Sequence, residues 1–76
     1  MRVRWTEPAA DDLTGISDYI EARDSPAAAR RVALALYEGI DALPYFPYRG
    51  RPGRKPGTRE LIYPHVPYLA IYAVRD

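Results

Sequence analysis

Met1, Val3 and Trp5 alternate with Arg2 and Arg4, the period of two that predicts a half-buried strand over the first five residues. The period then changes. Ala9, Leu13, Ile16 and Ile20 follow at spacings of 4, 3 and 4, one stripe of an amphipathic helix. Thr6 is placed to cap it and Pro8 is tolerated in its first turn. Asp11, Asp12, Asp18 and Glu21 mostly face away from the stripe, and the early acids suit the positive end of the helix dipole. Gly15 weakens this helix by about 1 kcal/mol relative to alanine, so close packing is the expected reason for it.

The segment "DSPAAARR" is the sharpest start signal in the chain. Ser25 serves as N-cap and Pro26 takes the first helical position, where its missing N–H costs nothing. Ala29, Val32, Leu36, Ile40 and Leu43 line one face, and Pro44 and Pro47 stop the run. From Pro26 to Leu43 the helix would extend about 27 Å at 1.5 Å per residue. The short link around Ala22–Asp24 predicts an antiparallel helical hairpin. Glu60–Tyr63 reads as a strand, "PHVP" as a turn, and Tyr68–Val74 as a second strand. That strand is apolar on both faces and so is expected to be central. The order β-α-α-β-β is an α+β arrangement: a small antiparallel sheet, with an N-terminal strand, carrying the helical hairpin on one face. An edge left open in such a sheet would invite another chain to pair there.

Composition narrows the possibilities. Seventy-six residues, 47% hydrophobic and 28% charged, make one soluble globular domain spanning 1–76. A single core in a chain this short seldom exceeds about 3–5 kcal/mol, and such chains often lean on a partner. There is no cysteine and one histidine, His65, so disulfides, thiolate chemistry and a multi-histidine metal site are excluded and no cofactor is expected. No stretch is long and apolar enough to span a membrane and no secretory leader is visible, so a cytoplasmic protein is expected.

The net charge of +1 hides an uneven distribution. Residues 1–48 sum to −3, whereas residues 49–63 sum to +4 through Arg49, Arg51, Arg54, Lys55 and Arg59 against Glu60. Such polarity can steer an anionic partner. The positive charge is gathered in "GRPGRKPGTREL", residues 50–61. This segment is a phosphate-gripping loop, a protein-docking surface or a solvated connector. It has no Walker-type pattern and no helix follows it to bind an anion. A strand follows instead, so the loop delivers Arg59 and its neighbours onto a sheet face.

In order, "VRWTEPAADDLTGISDYI", "SPAAARRVALALYEGIDAL", the "GRPGRKPGTREL" loop and "VPYLAIYAV" resemble the RelE/ParE superfamily of bacterial toxins over nearly the whole chain. The resemblance implies the toxin of a type II toxin–antitoxin pair. Such a toxin arrests growth, is neutralised by a cognate antitoxin that wraps its surface, and forms a homodimer or a toxin–antitoxin hetero-oligomer. ParE-like members, similar in the "GTREL" region, block DNA gyrase by binding it; RelE-like members cut messenger RNA on the ribosome. Two departures from the family pattern stand out. Members usually continue with a turn and another strand beyond the point where this chain stops, at Asp76. The ribonuclease branch commonly has an arginine where Leu69 follows Tyr68.

A ribonuclease needs a group to take the 2′-hydroxyl proton, one to protonate the leaving oxygen, and cations for the strained phosphate. Arg51, Arg54, Lys55 and Arg59 would meet the last need, the alternative being solvated loop charges. Arg59 is the strongest of them, because a strand fixes its position. His65 alone has an ordinary pKa near neutrality, but in a turn an exposed, inert histidine is the commoner case. Tyr68 and Tyr72 share a face and would stack on bases, or be core. Tyr45, Phe46 and Tyr48 are expected to form a packed lid over the helix end. The thin acid–base inventory and Leu69 favour a ParE-like gyrase inhibitor, with Arg51, Arg54, Lys55, Arg59 and Tyr68 meeting the target. The RelE-like ribonuclease acting on ribosome and messenger, with Arg51, Arg54, Lys55, Arg59 and His65 as its chemistry, is the alternative. A shortened, inactive toxin that still binds antitoxin is the third reading.

Overall fold

Thr6 opens the first helix as its side chain dictates: Oγ1 accepts from the Ala9 N–H at 3.2 Å, satisfying one of the orphan donors of the first turn. The structure, a computed structural model, describes residues 2–75. Helix α1 spans Glu7–Arg23 and helix α2 spans Pro26–Asp41. Strand β1 is Arg51–Pro52, β2 is Arg59–Ile62 and β3 is Leu69–Tyr72. The two helices and the antiparallel sheet make the α+β class expected of the sequence. The chain divides into two compact units, Arg4–Tyr37 and a second built mainly from the residues beyond it.

In the first unit the helical periods hold residue for residue. Ala9, Leu13, Ile16 and Ile20 are half-buried on α1. Gly15 departs from expectation: a Cβ placed there meets nothing within 4 Å, so no close packing explains it. Ser25 Oγ accepts from the Ala28 N–H at 3.0 Å and starts α2, on which Ala28, Ala29 and Leu36 are buried. Trp5 packs against Tyr37 with ring centroids 5.4 Å apart. The alternation over residues 1–5 does not yield a strand: Arg2–Trp5 lie outside the sheet, and Met1 lies outside the described residues. A ladder needs a partner edge, and the described sheet holds β1, β2 and β3 alone.

In the second unit α2 ends at Asp41, and a series of tight turns replaces the last half-turn expected of it. Leu43 N–H donates to Ile40 O at 3.0 Å, Tyr45 N–H to Ala42 O at 3.0 Å, and Arg49 N–H to Phe46 O at 3.2 Å. Pro44 and Pro47 lack the N–H groups needed to carry the helix on. The sheet is antiparallel in the order β1-β2-β3. Arg51 pairs with Glu60 and Pro52 with Arg59; Arg59 pairs with Tyr72, Glu60 with Ile71, Leu61 with Ala70 and Ile62 with Leu69. The middle strand is therefore β2, and the strand expected to be central, β3, is an edge. Its two faces differ accordingly. Leu69 and Ile71 are exposed while Ala70 and Tyr72 are half-buried, the alternation of a strand covered on one side. Leu43 and Leu61 are buried here.

Candidate functional site

Glycine and threonine shape the basic segment into a β-hairpin turn rather than an open loop. Gly53 N–H donates to Thr58 O at 2.8 Å and Thr58 N–H to Lys55 O at 3.1 Å, while Thr58 Oγ1 donates to Lys55 O at 2.6 Å. Gly57 closes the turn at φ +82°, a conformation that costs other residues about 1–2 kcal/mol. Arg54 and Lys55 project from this turn, exposed, and their side chains make no ion pair or hydrogen bond among the described residues.

The register separates the two strand arginines. Partners across a ladder share a face and successive residues alternate, so Arg51 lies on the face of Glu60 and Ile71, and Arg59 on the face of Pro52 and Tyr72. Arg51 Nε donates to Glu60 Oε1 at 2.9 Å, which leaves the buried carboxylate of Glu60 paired. Arg59 is drawn inward. Its Nε donates to Gly50 O at 2.9 Å, its Nη2 donates to Tyr48 O at 3.0 Å and again to Gly50 O, and its guanidinium lies 5.4 Å from the centre of the Tyr48 ring. From the next strand Tyr72 completes the clamp. Its hydroxyl donates to Pro47 O at 2.8 Å and accepts from the Gly50 N–H at 3.0 Å. A Cβ at Gly50 would lie 2.7 Å from that hydroxyl and 2.8 Å from the Glu60 carbonyl, so only glycine lets the chain pass so close.

The clamp holds one wall of a shallow concavity of about 290 Å³ lined by Tyr48, Pro52, Gly57, Thr58, Arg59 and Val74. It joins an aromatic ring, an arginine and a stiff turn, surfaces that seat a flat or extended group. It holds no obvious acid–base pair. His65 lies exposed in the turn after β2, while the basic turn precedes β2, so the two sit at opposite ends of the strand. Four strand residues at about 3.3 Å each separate those ends. Tyr68 precedes Leu69, the partner of Ile62, and belongs to the His65 end, although it was expected beside the arginines. Burial pushes the Tyr63 phenol up, with Arg49 pulling it partly back, so Tyr63 stays neutral at neutral pH and is no proton acceptor there. Among the described residues no cluster of histidines and carboxylates could hold a metal ion, and no helix is long and apolar enough to cross a membrane.

The expectation that Tyr45, Phe46 and Tyr48 form a packed lid fails: the three residues are 80%, 63% and 66% exposed. Pro44 and Pro47 hold this segment in turns beyond α2, and both hydroxyl bonds of Tyr72 and the guanidinium of Arg59 go to its backbone. Those bonds fix the backbone and leave the aromatic side chains outside. The sequence signal was present in the two prolines, which prevent the helix from carrying these residues back onto its buried stripe.

Comparison with known proteins agrees with this architecture. The chain is 44% identical over 73 residues to "Putative toxin Y4kP" of Sinorhizobium fredii, covering 96% of this chain and 75% of that protein. It is 41% identical over 75 residues to Toxin RelE2 of Caulobacter vibrioides, covering 99% of this chain and 82% of that protein. No solved structure is a significant match. The family model for the ParE toxin of the type II toxin–antitoxin system parDE matches residues 3–76, and the chain belongs to that family of toxins.

Proposed function

We propose that this toxin acts by binding, as a ParE-like inhibitor of DNA gyrase in the cytoplasm, and that its cognate antitoxin silences it. The observation that carries this reading is the separation of His65 from the cationic turn by the length of β2. Cleaving RNA requires proton transfer and phosphate stabilisation at one point, and here the candidates stand at opposite ends of a strand. Two of the four cations named for phosphate are also committed elsewhere, Arg51 to Glu60 and Arg59 to the Tyr48 and Gly50 carbonyls. Arg54 and Lys55 remain exposed on a rigid turn, where a protein target meets them at small entropic cost.

Purified toxin is expected to inhibit supercoiling by gyrase and to leave transcripts intact after brief induction. Arg54→Glu with Lys55→Glu should weaken that inhibition at least tenfold while leaving the unfolding midpoint unchanged. No inhibition at micromolar toxin would sink the reading. The 41% identity to Toxin RelE2 supports messenger cleavage as the second reading, which mapping transcript ends would reveal.

A further inference from the structure

We infer that the rigid aromatic step Tyr45, Phe46 and Tyr48, with the cations beside it, is the docking surface for an acidic, apolar-anchored segment of the cognate antitoxin. This assignment rests on membership of the toxin–antitoxin family and names where the partner sits. Three large rings within four residues are mostly exposed, and single exposed apolar residues are ordinary whereas a cluster marks an interaction site. Their backbone is immobilised before any partner arrives. Tyr72 bonds Pro47 and Gly50, Arg59 bonds Tyr48 and Gly50, and the turn bonds to Ala42 and Phe46 hold the rest. Preorganised tyrosine and phenylalanine anchors lose little entropy on binding and dominate interface energetics.

Charge selects the occupant. From Ala42 to Arg59 the chain carries five basic side chains and no acidic one, and the one acid of β2, Glu60, is already paired with Arg51. The nearest acid on the other side is Asp41, at the end of α2. Carboxylates on the partner would meet Arg49, Arg54 and Lys55 while its apolar side chains cover the rings. A bare aromatic cluster is an association hazard, so its natural cover is the protein with which a toxin of this kind is stored, rather than a target it meets only on release.

The test uses the full-length antitoxin co-expressed with the toxin from their operon, separated and then titrated back. Tyr45→Ser with Phe46→Ser leaves the Tyr48 stack on Arg59 untouched and should raise the dissociation constant at least 30-fold with an unchanged circular dichroism spectrum. Arg54→Glu with Lys55→Glu should raise it about tenfold and flatten its salt dependence. Amide exchange in the complex should show protection at residues 45–49. If the unsubstituted toxin fails to bind the antitoxin, the toxin–antitoxin reading itself falls. If it binds and the serine variant binds equally well, only the docking assignment falls. For the Tyr45→Ser with Phe46→Ser variant, retained antitoxin binding with lost gyrase binding would give the rings to the target and overturn the assignment in the same way.

Discussion

Strand β2 carries a turn at each end, and the two are stiffened by different means. The turn from Gly53 to Thr58 is closed by backbone and threonine hydrogen bonds and a left-handed glycine. The turn Pro64–Pro67 relies on two prolines, and neither His65 nor Val66 makes a hydrogen bond among the described residues. Beside the first turn Arg59 and Tyr72 face each other across the ladder and bind the Pro47–Gly50 backbone. Beside the second, Ile62 faces Leu69 and both are exposed. Investment in polar bonding at one end and its absence at the other separates a presented surface from a plain connection. The same division explains why the cations and the histidine, close in sequence, do not form one site.

Breaking the bonded end should cost most. Gly50→Ala drives a Cβ against the Tyr72 ring and the Glu60 carbonyl, an overpacking loss of about 3 kcal/mol. That is most of what a core this small supplies, so urea denaturation should find the variant largely unfolded; a shift under about 1 kcal/mol would show that the backbone yields there. Tyr72→Phe removes one donor and one acceptor and strands the buried Gly50 N–H, a loss of about 2 kcal/mol. Its second sign would be faster amide exchange at Gly50, and unchanged exchange would refute the clamp. Gly57→Ala forces a side chain into left-handed backbone and should lower stability by about 1 kcal/mol, read from the same denaturation curves. At the other end, His65→Ala should move stability by less than about 0.5 kcal/mol and leave growth arrest intact on induction. Loss of toxicity with stability unchanged would restore a chemical role to His65 and overturn the contrast between the ends.

Much of the helical part is legible in the sequence. Thr6 and Ser25 cap helices in the structure as their side chains require, and Ala29, Leu36 and Leu43 are buried along the stripe their spacing defines. The sheet was harder. Ile71 and Leu69 read as the interior of a central strand, but burial of both faces needs neighbours on both edges, and β3 has one among the described strands. Arg51 and Arg59 looked like one cationic group because the chain carries them close together; a β ladder sends them to opposite faces. Tyr72 was legible as a tyrosine on a sheet face, yet nothing local reveals that its hydroxyl reaches a carbonyl 25 residues away.

By itself the sequence determined the helices, their caps, the two strands after the basic segment and the family, because capping and period act within a few residues and family motifs are strings. It did not determine that residues 2–5 stay outside the sheet or that Arg51–Pro52 join it. Tertiary structure decided which strand is central, which cations are consumed and which exposed, and that Tyr45, Phe46 and Tyr48 stand out from the surface. Those outcomes depend on register and on contacts between residues far apart in the chain, and no local preference encodes them. The "GRPGRKPGTREL" segment shows both sides: its glycines announced a turn, and pairing across β2 determined that Arg51 and Arg59 lie on opposite faces.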